Sequence, residues 1–447
     1  MRMRRHSLLA CMLLSGCTVY HASPLSAPDA VLTPVDMAIV STEAAKIDRP
    51  YLTPQPIDLS QPLTPNALAV LTVLENPDLK ALRLKGGVTS AQAFSARLVP
   101  DPTFQGTFDK RISGPDPFNG FGSQIAFDLS QLRLAKVTRT AAEASRQQVR
   151  LDYAWAEWQA AGQARLLGAR ILGLTAQSAV AHASAAAAER LFQAVSRASG
   201  RGDLAAGDLD TRRQTALDTA DKARLAERDL TAARGDLNKL LGLPPETMLT
   251  LAPADPPAVP PPAARLTAQA LDRRLDLAAL RQGYAASEAE LHKQVLDQFP
   301  TLSLALAGAR DTAKNYTAGP TVGFSLPLWN RNRGGIAIAT ATRAQLKAEY
   351  EARLFQTRAD IGTAVAALAV ARRQRAELLE QLPVLQRYAD ATARASARGD
   401  LAPATAETAA QAIRDRRLTL SQLDQQVAEQ TIALELLSGG PSEGWTR

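Results

Sequence analysis

Two segments, Arg201-Gly202-Asp203-Leu204 and Arg398-Gly399-Asp400-Leu401, stand 197 positions apart. In each, a cation and a carboxylate flank a glycine. That arrangement turns the chain, caps the next helix or offers a charge to a neighbouring chain. Such chemistry is reversible. Bond-making chemistry lacks its groups: beyond Cys11 and Cys17 there are no cysteines, and His21, His182 and His292 lie far apart. The chain shows no nucleophile elbow, paired metal-ligand spacing or glycine-rich phosphate loop. It reads as a non-enzyme, with no catalytic residue, cofactor or resident metal expected.

The two segments belong to a longer echo. Pro77-Asp78-Leu79-Lys80-Ala81-Leu82-Arg83 returns as Leu275-Asp276-Leu277-Ala278-Ala279-Leu280-Arg281, and Pro102-Thr103-Phe104 returns as Pro300-Thr301-Leu302. Leu240-Leu241-Gly242 is echoed by Leu437-Ser438-Gly439. A register held to within one residue means a duplicated unit. The parts read as a signal segment (1–16), a proline-rich extended strap (17–65), a first repeat (66–242) and a proline-rich linker (243–264). A second repeat (265–440) and a tail (441–447) follow.

Each repeat should open with a helix, near 68–98 and 266–296. A hairpin follows, within 102–130 and 301–328. A long helix comes next, near 132–199 and 334–396, and then a second helix to about 241 and 438. Leu354, Ile361 and Leu368 recur at seven, as in a coiled-coil seam. Leu151, Trp155 and Trp158 follow helical spacing. Pro383 predicts a bend. The fold class is mainly α with a small β part.

The hairpin strands alternate. Phe104 and Phe108 oppose Thr103, Gln105, Thr107 and Asp109, while Ile125 and Phe127 oppose Gln124, Ala126 and Asp128. Leu302, Leu304 and Leu306 oppose Ser303 and Ala305, and Val322, Phe324, Leu326 and Leu328 oppose Thr321, Gly323 and Ser325. Ordinary hairpins on a soluble core would alternate in the same way. A lipid-facing wall with a wet lumen would too. Such a wall must be closed, because unpaired edges in lipid cost several kcal/mol per group. The smallest barrels need about eight strands, and this chain offers four, so several chains must pool theirs.

The N-terminus bears on the compartment. Arg2, Arg4 and Arg5 precede an apolar stretch, Leu8–Leu14, too short to span a bilayer. Leu14-Ser15-Gly16-Cys17 resembles the bacterial lipoprotein box, in which the cysteine is acylated, palmitate included. An ordinary secretory signal with an incidental cysteine is the alternative. Thr18 follows, where an aspartate would resemble an inner-membrane retention signal. The net charge of +7 falls by three when those arginines leave. The remaining charges interleave without a basic stripe, so no nucleic-acid partner is expected.

Across about 65–440 the chain resembles the outer-membrane efflux protein family, the TolC-type outer membrane factors. The motifs are Asn76-Pro77-Asp78-Leu79, Phe299-Pro300-Thr301-Leu302, Phe324-Ser325-Leu326-Pro327-Leu328, the two Gly-Asp-Leu segments, Leu382-Pro383 and Ala433-Leu434-Glu435-Leu436-Leu437-Ser438-Gly439. The resemblance implies a homotrimer in which four strands per chain form a twelve-stranded outer-membrane β-barrel, continued by an α-helical periplasmic tunnel. It implies a lipid-anchored protein of a Gram-negative outer membrane with a long periplasmic part. Its partners would be a periplasmic adaptor (membrane fusion) protein and an inner-membrane pump, of RND type. Arg201, Gly202, Asp203, Leu204, Arg398, Gly399, Asp400 and Leu401 would form the periplasmic tips, where adaptors dock and the tunnel narrows.

Leu328-Trp329-Asn330-Arg331-Asn332-Arg333-Gly334-Gly335 is most similar to the heavy-metal efflux, CzcC-like branch, with Trp329 where phenylalanine is usual. Those residues suit a turn and the start of a packed helix. The implied cargo is a heavy-metal cation. Drug export, type I protein secretion and a non-channel lipid-anchored coiled-coil scaffold are the alternatives.

Overall fold

A computed structural model of the chain describes residues 20–32, 36–201, 206–253 and 259–442. The chain divides into two units, residues 1–36 and 37–447. In the first, Pro28–Leu32 form a short helix, α1. Segment 1–16 and Cys17 lie outside the described residues.

The second unit begins with α2 (Met37–Ala44). Its first repeat comprises α3 (Pro65–Glu75), α4 (Pro77–Ser95), β1 (Thr103–Asp109), β2 (Gly120–Asp128), α5 (Leu129–Gly200) and α6 (Ala206–Leu241). The second comprises α7 (Ala263–Arg273), α8 (Leu275–Leu296), β3 (Leu302–Arg310), β4 (Tyr316–Phe324), α9 (Arg333–Ala397) and α10 (Pro403–Ser438). The element order is the same in both, so the duplication is structural.

Each single opening helix expected from the pattern is in fact two. In the first repeat Pro77 has no N–H to continue α3, and Asn76 takes φ −55°, ψ 122° while its side chain caps α4 by accepting from Leu79 N at 2.9 Å. In the second repeat Leu275 replaces the proline, yet Arg274 adopts φ −67°, ψ 118° with no side-chain cap. Packing, rather than local sequence, breaks that helix.

The strap also departs from a simply extended segment. Val40, Ala44, Ile47, Leu52, Ile57 and Leu63 are buried against α3, α5 and α6. Leu63 pairs with Leu251 of the linker, donating to Thr250 O at 2.8 Å and accepting from Ala252 N at 2.9 Å. Strap and linker thus tie the outside of the first repeat together.

α5 rises about 108 Å at 1.5 Å per residue. It packs along α6, α8 and α10. The heptad seam is buried at two of its three positions: Ile361 and Leu368 lie with Val427 and Leu434, while Leu354 is half-buried. α9 runs on through Pro383 as one helix. No helix among the described residues is long and apolar enough to cross a membrane.

The four strands form one antiparallel sheet, ordered β1-β2-β3-β4. The repeats meet inside it, where β2 pairs with β3, with Ile125 opposite Leu306 and Phe127 opposite Leu304. β4 ends at Phe324, so Leu326 and Leu328 lie beyond the strand in which the alternation placed them. Pro327, which cannot donate to a ladder, stands between them.

Candidate functional site

The sheet has one apolar face, and the chain does not cover it. The register aligns Phe104 with Ile125, Ile125 with Leu306, Phe127 with Leu304, and Leu304 with Val322. Phe104 is 72% exposed and Leu306 68%, and Phe108, Phe121, Ile125, Phe127, Leu304, Val322 and Phe324 are also exposed. Burying one such side chain stabilises by roughly 1.5–3 kcal/mol. Left in water, the set would forgo an amount comparable to a whole domain's stability of about 5–15 kcal/mol. A soluble hairpin packed on a core is therefore not what this sheet is.

The opposite face is polar and small. Gln124 Nε2 donates to Gln105 Oε1 at 2.6 Å across β1 and β2, and Ser303 Oγ donates to Gly323 O at 3.3 Å across β3 and β4. Ala126, Ala305 and Thr321 lie side by side on it. β1 and β4 each keep one unpaired edge among the described strands. Because every neighbouring pair is antiparallel, β4 of one copy can pair antiparallel with β1 of the next.

The sheet feeds directly into the helices. Asp128 ends β2 and caps α5, accepting from Ser130 N at 2.9 Å. Across the sheet base, Arg331 and Asn332 take left-handed φ values of 45° and 51°. Asn332 Nδ2 donates to Gln294 O and Oε1 of α8, both at 2.8 Å. A Cβ on Gly335 would meet Gln294 Oε1 at 2.4 Å, whereas Gly334 faces open space. The Asn-Arg-Asn run is thus a turn pinned to α8, with one of its two glycines at a close approach.

Where the helices return toward the sheet, a joint closes each repeat. Asn76 Nδ2 donates to Leu240 O at 2.8 Å, and at the equivalent place Arg274 Nη1 donates to Leu437 O at 3.4 Å. Gly242 and Gly439 follow with φ of 66° and 72°. A Cβ on Gly242 would meet Glu75 O at 2.9 Å, and one on Gly439 would meet Arg274 N at 3.1 Å. Asn238 holds the linker through Pro245 O and Thr247 O at 3.1 and 2.9 Å, as Glu435 accepts from Ser442 N at 3.0 Å.

Three buried ionic groups brace this region, and sequence reasoning missed all of them. Arg274 binds Asp276 through two nitrogens, at 3.0 and 2.7 Å, and stands 4.9 Å from the Trp155 ring. Arg165 pairs with Glu435 at 2.6 Å. Glu157, almost wholly buried, accepts from Arg49 of the strap at 2.8 and 3.0 Å and from the Tyr153 hydroxyl. The bond to Glu157 holds the Arg49 guanidinium well above its usual range, and burial pushes the Tyr51 and Tyr153 phenols up. Their only sequence signal was a charge set amid apolar spacing, as Glu157 between Trp155 and Trp158.

At the far end of the helices, the second Arg-Gly-Asp-Leu segment forms the turn between α9 and α10. Gly399 has φ 84°, Asp400 N donates to Ala395 O at 2.9 Å, and Pro403 starts α10. Arg398 Nε donates to Asp400 Oδ2 at 2.9 Å, with both side chains exposed. Leu401 follows them in the turn. Arg201 ends α5, while Gly202, Asp203 and Leu204 lie outside the described residues. His182 and His292 are exposed, on α5 and α8 respectively.

Residues 266–440 match the family described as outer membrane efflux protein. No curated protein sequence matches the chain. Among solved structures, the chain is similar to CusC, in crystal structures concerned with folding and transmembrane channel formation. The TM-score is 0.68 at 18% identity, covering 88% of this chain and 98% of that one. It is similar to the outer-membrane channel OprN, with TM-score 0.70 at 17% identity, covering 95% and 99%. It is also similar to the Campylobacter jejuni CmeC outer membrane channel, with TM-score 0.70 at 14% identity, covering 84% and 85%. The fold expected from the sequence, long helices with a four-stranded sheet, is the fold these channels share.

Proposed function

We propose that the chain, whose residues 266–440 match the outer membrane efflux protein family, is an outer-membrane exit duct built from three copies. The observation that carries this is the exposed apolar sheet face beside two free antiparallel edges. Three copies of four strands make a closed ring of twelve, apolar toward lipid and lined inside by Gln105, Gln124, Ser303 and Thr321. Two copies would leave only a narrow, packed barrel. The long helices α5 and α9, each about 100 Å, extend the duct into the periplasm with α6 and α10 beside them, and Cys17 anchors each chain by its acyl groups.

The duct receives cargo from an inner-membrane pump through a periplasmic adaptor that docks at the tips, around Arg201–Leu204 and Arg398–Leu401. We infer a heavy-metal cation as cargo, supported by the likeness of Leu328–Gly335 to the heavy-metal branch. The pump, of RND type, would supply both selection and energy.

Single-channel recording in planar bilayers tests the duct: discrete conductance from a cross-linkable trimer is expected. A protein that binds membranes without conducting would instead be a lipid-anchored scaffold. Deleting the gene and measuring tolerance tests the cargo. Sensitivity to metal cations is expected, whereas sensitivity to drugs alone, or loss of a secreted protein, would overturn the metal assignment.

A further inference from the structure

At the loop end of the apolar face the chain places cations where the rest of that face is hydrocarbon. Arg310, the last residue of β3, lies opposite Phe121 and Tyr316 in the register and so shares the face of Leu304 and Leu306. Its guanidinium stands 5.1 Å from the Phe121 ring centre and 5.9 Å from that of Phe118. Lys314, with a left-handed φ of 76°, carries its ammonium 5.5 Å from Phe118.

These cations are not neutralised locally. Arg310 Nη2 donates to Asn119 O at 3.1 Å, while its Nε is buried without a hydrogen-bond partner. Two loop carboxylates, Asp116 and Asp311, form no salt bridge with either cation among the described residues and are hydrogen-bonded elsewhere. Asp116 accepts from Thr312 Oγ1 at 2.6 Å, and Asp311 accepts from Ala313 N, Asn315 N and Asn315 Nδ2. Asp109, Lys110 and Arg111 are also at this end, but Asp109 belongs to the opposite, polar face, and Arg111 Nη1 is bonded to Gly114 O at 2.6 Å.

A charged residue on a lipid-facing strand costs little only near the interface, where aromatic rings form a belt and long cations reach toward headgroups. A guanidinium offers paired donors that fit phosphate oxygens, and an aromatic bed leaves it partly dehydrated, strengthening that bond. Phe108 in the same row, and Ile125 and Leu306 below it, provide a surface for acyl chains. Phosphate above and hydrocarbon below describe one molecule.

We propose that Arg310 and Lys314, set on Phe118 and Phe121, bind the phosphate of an anionic lipid of the outer leaflet whose acyl chains lie along the apolar sheet face. The inference rests on the reading of the strands as membrane-spanning.

The test reconstitutes the full assembly into vesicles containing either diphosphorylated lipid A or the same lipid dephosphorylated, and counts the lipid retained after detergent extraction by native mass spectrometry. The wild type should retain the phosphorylated lipid roughly tenfold more strongly, as expected for a charge-assisted hydrogen-bonded contact. Arg310→Gln with Lys314→Gln should erase the preference, and Arg310→Lys should keep part of it. If the double variant fails to assemble, Lys314→Gln alone, in an exposed loop, should still weaken it. Equal retention of both lipids by the wild type, or an undiminished preference in the double variant, overturns the proposal. So does full displacement by inorganic phosphate, which would indicate a free-anion site. Failure of the spanning reading looks different: the reconstituted assembly would form no conducting channel in membranes of either lipid.

Discussion

The two repeats close the same joint with different side chains. In the first, Asn76 caps α4 and reaches Leu240 O, while Asn238 holds the following chain, both through neutral amides. In the second, Arg274 reaches Leu437 O while bound to Asp276, and Glu435 holds the following chain while paired with Arg165. The backbone path is shared, down to a left-handed glycine at 242 and at 439. Backbone geometry is thus the common part of the joint, and the plug filling it is free to vary if every buried polar group finds a partner. The two plugs do not fail alike. An amide removed leaves a few unmet hydrogen bonds, whereas half of a buried ion pair removed leaves a charge in a dry place.

The sharpest way to break the comparison is therefore Arg274→Ala. It leaves Asp276 only the more distant Arg353, at 3.9 Å, and takes the guanidinium off Trp155, so a loss of about 3 kcal/mol is expected, measured by guanidinium unfolding of the detergent-solubilised protein. Arg274→Met combined with Asp276→Leu should recover most of it, because an apolar pair of similar volume leaves no charge behind. If the double variant is as unstable as the single, the ion pair is more than a plug.

Next come the glycines, which probe what the repeats share. Gly242→Ala and Gly439→Ala each force a β-carbon into left-handed backbone and against a backbone atom of the opening helix pair, Glu75 O and Arg274 N respectively. A loss of about 2 kcal/mol is expected from each. Similar losses support a joint defined by its backbone, and a severalfold difference would contradict it. Asn76→Ala should cost less than Arg274→Ala, about 1–2 kcal/mol for one cap and one hydrogen bond. A larger loss than that of Arg274→Ala would reverse the ranking of amide and ion.

What was legible in the sequence follows the range of the forces involved. Strand alternation has a period of two and is written locally, so Phe104, Ile125, Leu304 and Val322 could be placed on one face before any pairing was seen. The break before Pro77 was missed although its cause is equally local, since proline lacks the donor. The matching break at Arg274 was hidden, because Leu275 is at home in a helix and the carbonyl that the Arg274 side chain meets, Leu437 O, is 163 residues away. Glu157 was hidden for the same reason: its partner Arg49 lies 108 residues back, in a strap read as merely extended. The duplication was plain, but what it duplicates at the joint is backbone shape, and shape survived while Asn became Arg. The tip segments show the reverse. They kept their residues, Arg-Gly-Asp-Leu, in both copies.

That retained tip provides the weakest perturbation of stability and the sharpest test of whether the narrowed tunnel end is also a gate. Arg398 and Asp400 pair at 2.9 Å within one exposed turn, and such a pair contributes only about 0–1 kcal/mol. Asp400→Ala should therefore leave unfolding unchanged to within ~0.5 kcal/mol. If the tips gate the tunnel, Asp400 would exchange its partner in the turn for an arginine of the neighbouring chain, a swap nearly neutral in energy and so easily reversed by an adaptor. Closed-state conductance should then rise in Asp400→Ala, and rise further when Asp203→Ala removes the counterpart in the first repeat. An increase in leak at constant stability separates a gate from a turn. An unchanged closed state in the double variant would reduce both segments to chain reversals, and the tips, like the joints, would then have been kept for their backbone alone.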